Sequence, residues 1–288
     1  MNRFVAFLLA VLLASITISS ACVAQPADWI RFTLRSQPGT GQVKASFDRG
    51  RNGRGEHEWS TGFRPSELIG LSTGFYAPGS RRLAFAIVRE AGRLDCSGNG
   101  GSRYASGTCR FTADPAFIQA LVAHRIARPT DEEAFSLMAV NARRELVDAL
   151  AAARYPTPSI DELMALSALN VSGRYIADLS RAGYRPQGIH SLIEFKALNV
   201  TPEWIGGLVR IGYANLPSNE LVQLKALNIT ADYIAGFDRV GYRRLPVDTL
   251  VQFKAVGVTP EFAAAAQQRR TAPPSPDELV QLRVLGHR

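Results

Sequence analysis

Hydrophobic and polar positions recur with a 29-residue period over the second half of this chain. Residues 171–199, 200–228 and 229–257 align without gaps, and residues 258–286 form a fourth copy that has diverged in its middle. Residues 142–170 and 113–141 are two weaker copies in the same register. Six consecutive units of this kind predict a stacked repeat array, in which each unit packs against its neighbours.

Each unit has the pattern of two short helices. In residues 200–228, Thr201 is placed to cap the first helix, and Gly212 and Asn228 are placed to end the first and second helices with a positive φ. Helices of about ten residues are marginal alone, so neighbouring units must bury their apolar faces. We therefore expect the rings at equivalent positions to form one aromatic column, and these rings are Phe117, Tyr175, Trp204, Tyr233 and Phe262.

The segment before the repeats alternates between apolar and polar residues, which predicts strands at 29–35, 42–48, 83–89, 93–96 and 108–111. Its two halves are weakly similar at a distance of about 50 residues, which favours two β-meanders in one small sheet, each followed by a helical turn. The glycine-rich stretches 50–55 and 98–107 are interpreted as hairpin connections. The predicted fold class is α+β: a small antiparallel β-rich domain over residues 27–112, followed by an αα-hairpin repeat array of the α-solenoid type over residues 113–286.

Residues 1–24 have the layout of a secretory signal peptide: a charged start at Arg3, an apolar run over 4–18 and small residues after it. That run is too short for a comfortable membrane span, and no other segment approaches one. Cleavage after Ala24 predicts a periplasmic or secreted chain without a transmembrane span. Acylation of Cys22, which would give a lipoprotein, is the alternative.

Two further cysteines, Cys96 and Cys109, predict a disulfide in an exported chain, placed on adjacent strands. A metal site would need more ligands nearby, and His57 is the only histidine close in sequence. Neither a metal nor another cofactor is predicted.

The formal net charge is +8, and residues 28–112 hold 13 Arg and Lys against 7 Asp and Glu. For an exported protein this favours an anionic envelope component or an acidic protein face as partner, and not nucleic acid. A candidate basic patch in this segment consists of Arg49, Arg51, Arg54, Arg81 and Arg82. The alternative is a surface that is simply rich in arginine.

Two sets of cations recur in the array and are candidate binding ridges. The lysine row comprises Lys196, Lys225, Lys254 and Arg283, and the arginine row comprises Arg181, Arg210 and Arg239. Both rows fall in last helical turns, where cations also suit the helix dipole. The sequence leaves the binding and dipole interpretations open.

Signals of catalysis are weak. Gly70-Leu-Ser72-Thr-Gly74 matches the nucleophile-elbow pattern, but it follows a short helical turn and precedes a loop instead of linking a buried strand to a helix. The four histidines have no metal-ligand spacing on one helix, and the carboxylates form no acid–base pair. A non-enzymatic protein is predicted.

The stretches FAIVREAGRLDCSGNGGSRYASGTCRFTADPAF and STGFRPSELIGLS, followed by repeats of the type ALNVTPEWI, resemble a bacterial envelope family. The same arrangement follows the peptidase part of β-lactam-sensor-type antirepressor membrane metallopeptidases. The resemblance implies an extracytoplasmic sensing or interaction protein, partnered by another envelope protein and accessory to antirepressor signalling. It does not imply the peptidase, because the chain has no His-Glu-x-x-His motif. The alternatives are an envelope hydrolase with an unrecognised site in the β domain and a lipid-anchored structural protein.

Overall fold

The computed structural model of the protein describes residues 28–51 and 54–286. The predicted signal peptide and Cys22 lie outside the described residues, as do the side chains of Arg51, Arg54 and His57. Within this part the fold is the predicted α+β arrangement of an antiparallel sheet followed by a helical array.

Six antiparallel strands form one sheet in the order β3-β2-β1-β6-β5-β4. The two predicted meanders, β1 to β3 and β4 to β6, are joined by the pairing of β1 with β6. One face is apolar because alternate residues such as Phe32 and Leu34 point inward. The strands are β1 Asp28–Gln37, β2 Gln42–Arg51, β3 Arg54–Phe63, β4 Arg81–Arg89, β5 Gly92–Gly101 and β6 Tyr104–Ala113.

The second glycine-rich stretch contains a hairpin connection, as predicted, but a much shorter one than expected, and strand β3 was not predicted. Strands β5 and β6 run through this stretch, and only Ser102 and Arg103, with φ of 52° and 67°, form the turn. Gly98 lies opposite Gly107, and a Cβ on Gly107 would approach the Phe32 ring to 2.8 Å. Gly107 therefore makes room for a core ring and Gly98 for the backbone of β6, and neither interrupts its strand.

The sheet is strongly curled around its core. Phe32 on β1 and Phe85 on β4 are three strand positions apart, which is about 14 Å in a flat sheet, yet their ring centroids are 5.0 Å apart. Arg89, at the end of β4, lies over Trp59 and Phe63 of β3 with its guanidinium carbon 5.2 and 5.6 Å from the ring centroids. The two edge strands therefore approach each other across the core.

The predicted disulfide is confirmed. Cys96 on β5 and Cys109 on β6 are directly opposite in register and bonded, and they are only 3% and 8% exposed. A buried disulfide of this kind is typical of proteins from oxidising compartments. None of the helices in the described ranges is both long and apolar enough to cross a bilayer.

Twelve helices follow in residues 115–285, and they match the six units as consecutive pairs. First helices pack on first helices and second helices on second helices, which gives two layers. Asn170, Asn199 and Asn228 end second helices with φ of 54°, 55° and 51°, as the repeat pattern predicts. The helices are α1 Pro115–Ala123, α2 Asp131–Ala139, α3 Arg144–Ala152, α4 Ile160–Ala168, α5 Gly173–Arg181, α6 Gly188–Ala197, α7 Pro202–Arg210, α8 Ser218–Ala226, α9 Ala231–Arg239, α10 Val247–Val256, α11 Pro260–Gln268 and α12 Pro276–Leu285.

Two neighbouring residues join the sheet to the array at oppositely charged helix ends. Arg89 donates to the carbonyl oxygens of Met138 and Ala139, at 2.8 and 2.6 Å, where α2 ends. Glu90 accepts from the backbone N–H and the guanidinium of Arg144, at 3.0 and 3.1 Å, where α3 begins. Burial acts to raise the pKa of Glu90, but the hydrogen bonds from Arg144 outweigh it and lower that pKa. Both contacts complement the helix dipoles.

Candidate interaction surface

The array has two long edges that differ in the helix ends they carry. First helices begin and second helices end at the junctions between units, which we call the junction edge. First helices end and second helices begin at the turn within each unit, which we call the connector edge. The lysine row lies on the junction edge and the arginine row on the connector edge.

Every cation of the lysine row is packed on an aromatic ring of its own unit. The distances from the charged group to the ring centroid are 4.6 Å for Lys196 over Tyr175 and 5.1 Å for Lys225 over Trp204. Lys254 lies 4.7 Å from the Tyr233 centroid, and Arg283 lies 5.3 Å from the Phe262 centroid. These are cation–π distances, which partly bury the cations and fix their position.

The predicted aromatic column is therefore wrong as a stack of rings. Among the described residues, no ring–ring contact joins two of these equivalent positions, and a cation occupies the ring face instead. The rings connect units in another way. The Tyr175 hydroxyl donates to the Val200 carbonyl and the Tyr233 hydroxyl to the Val258 carbonyl, each at 2.7 Å and each across a unit junction.

The two units nearest the sheet lack these pairs. Phe117 and Leu146 occupy the ring positions, while Met138 and Ser167 occupy the cation positions and are buried. A cation is therefore present only in the four units whose ring is half-buried. The constant spacing between ring and cation is visible in the sequence. The sequence does not show, however, that the two side chains are in contact.

The arginine row has no such rings. Arg181, Arg210 and Arg239 are exposed, and Arg181 pairs with Asp178 of its own helix. The Arg210 guanidinium extends over Gly206, where an added Cβ would be 3.6 Å from it. These cations remain available to solvent at the ends of three successive first helices.

Further arginines on the connector edge were missed by the sequence analysis because they lie in connectors that vary between units. Those with exposed side chains are Arg125, Arg128, Arg154, Arg185, Arg243, Arg244, Arg269 and Arg270. Carboxylates are present too: Arg270 lies 3.5 Å from Glu278, whose position in a first helical turn also suits the dipole. The connector edge therefore has an excess of arginine but is not uniformly positive.

The described members of the candidate basic patch, Arg49, Arg81 and Arg82, are not all brought together. Arg49 lies at the end of β2, donates to the Asp131 carbonyl at 3.1 Å and covers the Phe135 ring, so it joins the sheet to the array. Arg81 begins β4, at the other end of the sheet, and donates to the Pro78 carbonyl at 2.7 Å. Arg82 beside it is exposed.

No catalytic constellation is assembled from the candidate residues. Ser72 is exposed between two short 3-10 turns instead of between a strand and a helix. On the outer face of the sheet Asp48 pairs with Arg31 at 2.9 Å, and Asp95 pairs with Arg93 at 2.8 Å. No group of His, Cys, Asp and Glu in the described part of the chain has a metal-binding arrangement.

Comparison with known proteins returns no match, either to a protein-family model or to a curated protein.

Proposed function

We propose that this protein is an exported, non-enzymatic interaction or sensing protein of the bacterial cell envelope, whose array binds an acidic partner through the arginine row. The observation that carries the proposal is the contrast between the two rows: the lysines are packed on rings, whereas Arg210 and Arg239 are exposed. Several exposed cations in register steer an acidic surface, although each ion pair contributes less than ~1 kcal/mol.

The envelope assignment rests on the predicted signal peptide and is supported by the buried Cys96–Cys109 disulfide. The partner is another envelope protein or an anionic envelope component. The resemblance to antirepressor sensors makes an accessory role in that signalling the specific form of the proposal.

Export is tested by the intact mass of the protein from the envelope fraction. A chain starting at Gln25 supports cleavage, whereas an acylated Cys22 supports the lipoprotein alternative and a chain starting at Met1 contradicts export.

The binding surface is tested by pull-down from envelope extract with three forms of the mature chain. These are wild type, a variant with Arg181, Arg210 and Arg239 changed to Glu, and a variant with Lys196, Lys225 and Lys254 changed to Glu. The two variants carry the same charge change on opposite edges. We expect the arginine variant alone to lose the partner, and wild-type binding to weaken as salt is raised.

The same experiment identifies a wrong surface. Loss of the partner only in the lysine variant, with its helical content intact, assigns binding to the junction edge. Identical proteins retrieved by all three forms at the same salt contradict a role for either row.

A further inference from the structure

A small apolar cleft opens on the connector edge between the third and fourth units. Its volume is about 130 Å³. The Val209 side chain at its rim is 42% exposed, an uncommon position for a large apolar residue in this array. The side chains that form its apolar walls are Tyr184, Ile205, Val209, Tyr213, Leu216 and Leu221.

At the cleft a short side chain, Val209, stands where the last unit has a longer one. Gln267 is the equivalent residue of the last unit, and its Nε2 donates to the Val240 carbonyl of the preceding unit at 2.7 Å. At the cleft the equivalent carbonyl belongs to Ala182, which lines the opening. Valine has neither the length nor the donor to reach it.

The tyrosine at this joint is also placed differently. Tyr213 and Tyr242 donate across their joints to the carbonyls of Leu245 and Pro274, at 2.6 and 2.7 Å. Tyr184 instead meets the Ser218 hydroxyl at 3.0 Å. The ring of Tyr184 therefore forms a wall of the cleft, while the carbonyl bond seen at the two later joints is not repeated.

Size and charge define what the cleft can hold. An engineered protein cavity of about 150 Å³ lined by aliphatic and aromatic side chains binds benzene, so this cleft accommodates one leucine- or phenylalanine-sized side chain. Arg210 directly follows Val209 and is exposed, and guanidinium groups bind carboxylates with paired hydrogen bonds. Arg181 directly precedes Ala182, which lines the cleft, but it is already paired with Asp178.

We infer that the cleft and Arg210 together bind an acidic peptide segment of the partner, with one leucine- or phenylalanine-sized side chain in the cleft and a neighbouring carboxylate on Arg210. This inference rests on the proposed function and adds the identity of the recognised segment. The exposed charge of Arg210, which follows Val209 in the chain, favours an acidic peptide of this kind over an uncharged apolar segment.

The probe is a fluorescein-labelled peptide with the core Glu-Leu-Glu between Gly-Ser flanks, titrated against the full mature chain and followed by anisotropy. The matched peptides replace Leu by Ala or both Glu by Gln. Val209→Gln should reach the Ala182 carbonyl as Gln267 reaches that of Val240, and so occupy the cleft, whereas Arg210→Gln removes only the charge. Gln267→Val, at the equivalent position of another joint, is the control variant.

We expect Val209→Gln to weaken binding of the Leu peptide at least tenfold and to leave the weak binding of the Ala peptide unchanged. Arg210→Gln should weaken the two Glu-containing peptides and flatten their salt dependence, and Gln267→Val should not weaken the Leu peptide. In methyl NMR spectra of wild type, the Leu peptide should shift the Val209 and Ile205 signals, which reports the site without any substitution.

Equal binding of the Leu and Ala peptides by wild type overturns the inference. If the arginine-row variant still loses the native partner in that case, the proposed function stands and only the recognised segment is wrong. Binding to phosphatidylglycerol vesicles that Val209→Gln and Arg210→Gln reduce, together with no binding of any peptide, also overturns it and assigns the cleft to lipid.

Discussion

The lysine row and the arginine row share one spacing and one kind of helical position, yet their side chains are used differently. Lys225 lies 5.1 Å from the centroid of the Trp204 ring, whereas Arg210, which ends the helix that carries Trp204, is exposed. The helix dipole favours a cation at both places by about 0.3–1 kcal/mol. The dipole alone therefore cannot explain why the cations of one row are packed on rings and those of the other are exposed.

What separates the rows is the side chain available opposite each cation. On the junction edge the first helix of the unit offers a half-buried ring. In the two units where Phe117 and Leu146 take this position and are buried, the cation is replaced by Met138 and Ser167, which are also buried. Beside the arginine row on the connector edge the neighbouring positions are small, such as Gly206 beside Arg210. A repeated charge is thus evidence of a binding surface only when no repeated ring faces it.

Removal of a ring should give the largest effect on the junction edge. Trp204→Ala leaves a half-buried gap and takes the partner from Lys225, so we expect a loss of about 2–3 kcal/mol in the free energy of unfolding, below the value for a fully buried tryptophan. Urea unfolding followed by far-UV circular dichroism measures it. Val209→Ala on the same helix is the control and should cost under ~1 kcal/mol; equal losses would contradict the structural role of the ring.

Removal of a tyrosine hydroxyl should affect both edges alike. Tyr233→Phe deletes the bond to Val258 on the junction edge, and Tyr213→Phe deletes the bond to Leu245 on the connector edge. Each change leaves a carbonyl without its donor, so we expect about 1 kcal/mol from each in the same urea titration. A large difference between the two would show that the edges also differ in how units are joined.

The same two phenols predict a loss of stability in alkali. Burial raises the pKa of Tyr213 to about 12, with a further contribution from Asp238, and burial raises the pKa of Tyr233 to about 12. The unfolded chain ionises near pH 10, so their stabilisation is complete below pH 10 and is lost as pH rises from about 10 to 12. The stability difference between wild type and the double Phe variant should therefore shrink over that interval; a constant difference would refute the assignment.

The array was predictable from the sequence because its information is local and repeated. Thr201, Gly212 and Asn228 each act within their own turn, and the helix ends follow them. The partner of Lys225 was not predictable in the same way. Its contact with Trp204 joins two helices of one unit. The spacing along the chain does not determine which faces of those helices pack together, so the contact could not be predicted.

The sheet was less predictable because its glycines serve a nonlocal purpose. Gly98 and Gly107 are strand residues: the missing side chain of Gly107 admits Phe32 from another strand, and that of Gly98 admits the backbone of β6. Read locally, the same residues indicate a turn. Likewise, Arg49 lies in a basic run, but its role at the Asp131 carbonyl depends on where the array docks. The Cys96–Cys109 pairing was predictable because it needed only export and two remaining cysteines.

Removal of a charge from the lysine row should cost less than removal of its ring. Lys225→Met keeps most of the apolar stem but deletes the cation–π contact, so we expect a loss of about 0.5–1 kcal/mol. Lys225→Arg should retain most of the stability, because Arg283 makes the equivalent contact with Phe262. If Lys225→Met and Lys225→Arg destabilise the protein equally, the contact depends on the shape of the lysine side chain and not on its charge.

The smallest effect on stability is expected for a substitution on the connector edge. This substitution also distinguishes the roles of the two rows most clearly. Arg210→Met removes an exposed guanidinium with no ring beneath it, so only the dipole interaction is lost and the free energy of unfolding should change by less than ~0.5 kcal/mol. The same variant should weaken capture of the acidic partner and reduce its salt dependence, whereas Lys225→Met should leave both unchanged. Stability is measured by urea unfolding and capture by pull-down at two salt concentrations. If Arg210→Met loses more than ~1 kcal/mol of stability and still captures the partner, Arg210 has a structural role like that of the lysines. The proposed difference between the two edges would then be wrong.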